Sequence, residues 1–164
     1  MRAAGIMKGS KMKIIVDEDP TLEDMEVVFR APRIDADVLE AVSRLRLFDQ
    51  KLTGQADGVT HIVPAKDVLY FESVDKRSFF YTADGVFETP MRLYEIEDKL
   101  ATCGFVRTGK STVVNLKEVA SLRSDAGGRI IATLSNGECT VISRAYAAQV
   151  KRMLGLEKAN GRAK

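Results

Sequence analysis

The sequence predicts a mostly β protein of the α+β class: a multi-sheet β fold with two helices, preceded by a β-β-α extension. Three observations predict it. Short runs rich in β-branched and aromatic residues recur from residue 59 to residue 142, turn dipeptides separate them, and only two segments beyond residue 54 have a helical apolar period. A length of 164 residues and 18.1 kDa suits one compact domain with an appendage.

The elements follow in order. Residues 1–12 combine Gly, Ser and basic residues without periodicity and read as a disordered tail. Lys13 to Asp17 and Met25 to Arg30 are β-branched and bracket a turn, so both are predicted strands, the second stopped by Pro32. Val38, Ala41, Val42, Leu45 and Phe48 lie at helical spacing and predict a helix ending near Gln50, with these residues on its inner stripe. Residues 13–53 thus form the extension, and 54–156 the main domain. There the predicted strands are Val59–Val63, Val68–Val74, Arg77–Thr82 and Val86–Thr89, with Asp84-Gly85 as a hairpin signal. Thr89-Pro90 opens a helix carrying Leu93, Ile96 and Leu100, and Gly104 ends it. Strands are predicted again at Phe105–Val114, Val119–Ser124, Arg129–Leu134 and Cys139–Ile142. Ser143 caps a last helix whose inner face is Tyr146, Val150, Met153 and Leu154, and residues 157–164 read as a flexible tail.

Composition narrows the function. Apolar residues make up 45% and charged residues 29%, the profile of a globular protein with a buried core. No apolar run approaches the roughly 18 residues of a membrane span, so membrane insertion is not expected and the cytoplasm is the expected location. The net charge of +2 is unevenly placed: +3 over residues 1–12, −5 over 13–64 and +4 over 65–164. A polyanion would therefore meet the C-terminal part. Cys103 and Cys139 read as small buried hydrophobes, and His61 as a strand residue; they supply neither a disulfide framework nor a metal cluster. No cofactor is expected. The aromatics at 70, 71, 79, 80 and 81 alternate as sheet core, although a stacking platform for single-stranded nucleic acid would use the same residue types.

Gly104-Phe-Val-Arg-Thr-Gly109-Lys110-Ser111 satisfies the phosphate-loop pattern G-x-x-x-x-G-K-[ST]. That chemistry needs a strand before the loop and a helix after it, so that backbone N–H groups at the helix start face the phosphates. Here a helical segment precedes the pattern and β-branched Thr112-Val113-Val114 follow it, so nucleotide binding is only an alternative reading.

With its surroundings the same segment reads differently. Val68-Leu-Tyr-Phe-Glu-Ser73, then Phe87-Glu-Thr-Pro-Met-Arg92-Leu93 leading to Glu97-Asp-Lys-Leu100, and then Phe105-Val-Arg107-Thr-Gly-Lys110-Ser111-Thr-Val-Val-Asn115-Leu116 together resemble the LytTR family of bacterial DNA-binding domains. The resemblance runs on through Val119-Ala-Ser-Leu122 and Ile142-Ser143-Arg144, over about residues 60–155, with Gly109 standing where many members carry His. It implies a mostly β fold that presents loop residues to DNA grooves, a non-enzymatic transcription regulator without a receiver domain, and a homodimer on promoter repeats.

Candidate DNA-binding residues are Lys76 and Arg77 between two predicted strands, Lys110 and Ser111 in a strand-edge turn, and Arg144 at the start of the last helix. Arg can bind guanine bidentately, whereas Lys mostly neutralises phosphate. Asn115 reads as a turn stabiliser through side-chain-to-backbone hydrogen bonds. The acidic extension is the expected dimer surface, or the docking site of an unknown protein partner if the chain is instead an interaction module.

Overall fold

A computed structural model describes residues 12–156 of the chain, which divides after Ile34 into two compact units. The expected tails at residues 1–12 and 157–164 lie outside the described residues, Met12 apart.

In the first unit the two expected strands do not form. Among the described residues before Asp35, only Val16 makes a bridge, and Lys13–Asp17 and Met25–Arg30 are otherwise irregular. The reason is burial: Ile14, Ile15, Val16, Val27 and Val28 are all exposed, and β propensity is expressed only where side chains pack on a pleated surface. What local order exists is polar. The Asp19 carboxylate accepts from the Thr21 amide at 2.9 Å and the Thr21 hydroxyl at 2.6 Å, and both bonds hold its pKa below the usual carboxylate value.

The second unit opens with helix α1 (Ala36–Phe48), capped by Asp35, whose side chain accepts from the Val38 amide at 3.1 Å. Its inward face is rotated from the expected stripe. Leu47 is buried and Val38, Ala41 and Val42 are half-buried, but Leu45 and Phe48 are 43% and 66% exposed. A polar contact sets this rotation. Lys117 donates from Nζ to the Ser43 hydroxyl at 2.6 Å and to the Cys103 carbonyl at 2.9 Å, so the face of Ser43 and Leu47, four residues apart, turns inward.

Ten strands follow: β1 (Lys51–Ala56), β2 (Val59–Pro64), β3 (Val68–Val74), β4 (Arg77–Thr82), β5 (Val86–Thr89), β6 (Phe105–Gly109), β7 (Thr112–Asn115), β8 (Val119–Ser124), β9 (Ile130–Leu134) and β10 (Cys139–Ile142). Helix α2 (Leu93–Lys99) lies between β5 and β6, and α3 (Arg144–Met153) follows β10. Seven strands form one antiparallel sheet in the order β2-β1-β5-β4-β3-β7-β6, and β10-β9-β8 form a second. Strand β1 was not expected from sequence. Gly54, which suggests a turn, is needed there because a Cβ would stand 2.6 Å from ring atoms of Phe80.

The expected long strand at 105–114 is a hairpin of β6 and β7. Helix α2 starts at Leu93 rather than at Pro90, because Thr89 still pairs with Ser78 in the sheet and Glu95 accepts from the Arg92 amide at 2.7 Å. In α3 the buried residues are Ala147 and Val150, while Met153 is exposed; Ser143 occupies the cap position, but its side chain makes no capping bond.

Core clusters lie on both faces of the large sheet, a smaller one of Leu69, Val114 and Leu134 beside the two main ones. Phe71, Phe80, Phe105 and Val113 pack with Leu93 and Ile96 of α2, with Leu100 at its end and with Leu47 of α1. On the other side Val106 of β6 and Leu116 pack with Ile130, Ala132 and Ile142 of the small sheet and with Ala147 and Val150 of α3. Of the two cysteines, Cys103 is buried as expected but Cys139 is exposed, at the free face of β10.

Candidate nucleic-acid interface

Strand register gathers the candidate residues at one end of the second unit. Strand β3 ends in the Asp75-Lys76 turn, where both residues adopt positive φ (50° and 65°), the pairing that a tight hairpin with native twist needs. Strand β7 begins beside the end of β3, since Glu72 pairs with Thr112 and the Ser73 amide donates to the Ser111 carbonyl at 2.9 Å. The Lys110-Ser111 turn therefore lies next to the Asp75-Lys76 turn. Strand β5 also ends here, with Thr89 opposite Ser78, and delivers Arg92 at the cap of α2.

The last part of this end is set by a bulge. Gly109 pairs with Thr112, which leaves Thr108 as an extra residue in β6, and the Thr108 carbonyl accepts from the Ser143 amide at 2.9 Å. That bond brings the start of α3 to the same end. Arg144 is exposed there, and its aliphatic stem lies over Gly128 in the β8–β9 connection, where an added Cβ would stand 3.0 Å from Arg144 Cγ. The same connection carries Arg129, paired with Asp125 at 2.8 Å.

All five sequence-predicted residues thus fall on one end of the fold, but they are not equivalent. Lys76, Lys110 and Arg144 are exposed, and among the described residues no carboxylate lies within ion-pair distance of them. Arg77 is different: its guanidinium is engaged by both oxygens of Glu88 on the neighbouring strand, with Nε to Oε1 at 2.8 Å, and lies over the Phe79 ring at 5.4 Å. The pair holds the Glu88 carboxyl below its usual pKa and raises that of Arg77. Ser111 contributes its carbonyl to the sheet, and its side chain is exposed.

Sequence reasoning missed two arginines that act on these turns. Arg92 donates from Nη1 to the Lys76 carbonyl at 2.6 Å. Arg107, with its side chain 19% exposed, donates from Nε to the Gly109 carbonyl at 2.8 Å and from Nη2 to the Lys110 carbonyl, and its Nη1 stands 3.5 Å from Glu97 of α2. Both residues were visible in the motif, yet nothing in a linear sequence shows that an arginine will spend its donors on backbone carbonyls.

The phosphate-loop pattern is spread over this hairpin. Gly104 ends a 3₁₀ turn with φ of 89°, residues 105–109 are strand, and β7 rather than a helix follows Ser111. The chain continues from the loop into a strand rather than a helix, so the strand-loop-helix arrangement that cradles phosphates is not formed. Asn115 lies at the opposite end, fully buried; it donates to the Val68 carbonyl at 3.0 Å and accepts from the Lys117 amide at 3.2 Å. Phe71 and Phe80 are core, as expected, whereas Tyr70 and Tyr81 stack at 4.3 Å on the other face beside Glu72. His61 is exposed on β2 and edges against Phe87 at 5.1 Å. Among the described residues no group of His, Cys, Asp and Glu has a metal-binding arrangement, and no helix is long and apolar enough to cross a membrane.

A β domain that carries exposed cations on several connections at one end has an arrangement suited to a polyanion. The family follows from comparison: residues 58–155 match the LytTr DNA-binding domain, and the chain belongs to that family. A solved LytTr DNA-binding domain from Bacillus cereus shares the fold, with a TM-score of 0.62 and 24% identity, covering 65% of this chain and 98% of that one. Two proteins of Staphylococcus aureus, from strains NCTC 8325 / PS 47 and N315, are each 26% identical over 148 residues, covering 89% of this chain and 99% of theirs. Both are named uncharacterised HTH-type transcriptional regulators. In this chain the three α-helices of the described residues are separated by strands, so the fold contains no helix-turn-helix among them.

Proposed function

We propose that this protein is a transcription regulator that binds double-stranded DNA sequence-specifically, reading grooves with Arg144 and the Lys76 and Lys110 turns while the other cations anchor phosphate. The observation that carries this reading is the convergence of the β3–β4 turn, the β6–β7 turn and the start of α3 on one end, each with an exposed cation that has no carboxylate partner among the described residues. The regulator names of the Staphylococcus aureus relatives support it. Arg77, tied to Glu88, serves as a phosphate anchor that must exchange its carboxylate for a DNA oxygen. No catalytic role is assigned. The protein acts in the cytoplasm as a homodimer on repeated half-sites, in the manner of an output domain. The exposed apolar side chains Ile14, Ile15, Val27 and Val28 favour the extension as the dimer surface, and the same residues would serve a different protein partner.

The test is binding to the duplex upstream of its own gene and to a random duplex across a salt series. Log affinity should fall with log salt at a slope near −0.9 per phosphate contacted. A flat response would transfer the function to protein interaction, and a preference for unpaired strands would make the protein a single-strand binder.

A further inference from the structure

Both recognition turns are held by arginines that belong to, or lean on, α2. Arg92 caps the helix and donates to the carbonyl of Lys76. Arg107 grips the carbonyls of Gly109 and Lys110 and faces Glu97, one and a half turns further along the same helix. The need for such grips is physical. Asp75 and Lys76 both sit at positive φ without being glycine, a conformation that persists only when its surroundings hold it. The Lys110-Ser111 turn follows a bulge, where the ladder is interrupted and fewer backbone bonds fix the chain. A planar guanidinium with several donors is suited to bridging two carbonyls at once, which an ammonium on a flexible stem does not reproduce.

We propose that α2 is a strut that sets the spacing of the two DNA-reading turns, with Arg92 and Arg107 as positioning residues rather than DNA contacts. The proposal rests on the DNA-binding reading. Arg107 has its Nε and Nη2 donors committed to backbone and its charge beside Glu97, so it reaches DNA only through Lys110. Arg92 is exposed and commits one donor, Nη1, to the Lys76 carbonyl. Helix α2 itself is immobilised by Leu93 and Ile96 in the main core, so the two turns inherit the rigidity of that core.

The test uses the full chain and charge-conserving variants, Arg92→Lys and Arg107→Lys, with melts to confirm folding. Hydrogen exchange on the free protein should show faster exchange at residues 75–77 for the first and 109–111 for the second, with the β3–β4 ladder unchanged. Duplex affinity should fall about 10-fold or more for Arg107→Lys, the size expected for charged hydrogen bonds lost. In a Lys110→Ala background the same substitution should cost less than about 2-fold, because its effect passes through that turn. Two results would overturn the proposal. One is unchanged exchange in the turns; the other is Lys variants that bind like wild type, or a loss undiminished by Lys110→Ala, as expected of direct phosphate contacts. If the wild type binds no duplex, the functional reading fails, while exchange in the free protein still decides whether the grips exist.

Discussion

Arg144 is the residue on which sequence specificity should turn. It stands on the first turn of α3, its stem braced over Gly128, and its guanidinium has no carboxylate partner among the described residues. A bidentate contact to guanine discriminates by about 1–3 kcal/mol, so Arg144→Ala should lower operator affinity about 5-fold to 150-fold and random-duplex affinity far less. Arg144→Lys should restore only part of the loss. Measuring both duplexes with thermal melts decides the matter: equal loss on both would make Arg144 a phosphate contact, and a shift in melting alone would make it a packing residue. Arg77 shows what sequence hides at this scale. Its cationic charge and turn position were legible, but the neutralising Glu88 lies eleven residues away on a neighbouring strand, and only the sheet register brings them together.

At the scale of elements, Gly54 marks a place where two strands allow no side chain. Gly54→Ala would drive a methyl group into the Phe80 ring and the Cβ of Phe87, at 2.6 Å from each. Overpacking of this kind costs about 1–3 kcal/mol, and a lowered denaturant midpoint with an unchanged transition slope should report it. The tyrosine pair gives a second expectation. Burial first, and then the charges of Glu138, Tyr81 and Glu72, raise the Tyr70 hydroxyl above its ordinary value of 10. The folded protein thus holds that proton more tightly than the unfolded chain, so this contribution is complete below pH 10 and is lost as pH rises beyond it. Wild type should lose stability from pH 9 to 11 more steeply than Tyr70→Phe, read by denaturant melts; parallel curves would show that Tyr70 contributes nothing to the slope. Strands from β3 to β5 were legible to the residue because alternation and turn dipeptides agree there. The bulge at Thr108 and the rotation of α1 were not, since both depend on partners, Ser143 and Lys117, that are distant in sequence. The extension's strands failed for the complementary reason, a β-branched sequence with nothing to pair against.

For the molecule as a whole, the compact units divide after Ile34. A chain beginning at Asp35 should melt cooperatively and bind duplex within about 3-fold of full length, while losing self-association. One beginning at residue 54 should melt at lower temperature, since it lacks α1 with buried Leu47 and the first half of β1 with buried Leu52, each a side chain whose burial contributes roughly 1.5–3 kcal/mol, and leaves Lys117 uncovered. Calorimetry and sedimentation on the two fragments check both statements, and equal melting temperatures would mean that α1 and the start of β1 are only loosely held. The anchor between Ser43 and Lys117 also has a meaning in time. The two residues are 74 positions apart, so during synthesis at about 5–20 residues per second α1 leaves the ribosome roughly 4–15 seconds before the lysine that will hold it. Through that interval Leu47 has no core to enter, and Leu39, Leu45 and Phe48, exposed even in the finished protein, stand beside it. The nascent helix therefore needs a chaperone's cover until the chain just beyond the β6–β7 hairpin, which carries Lys117, has emerged.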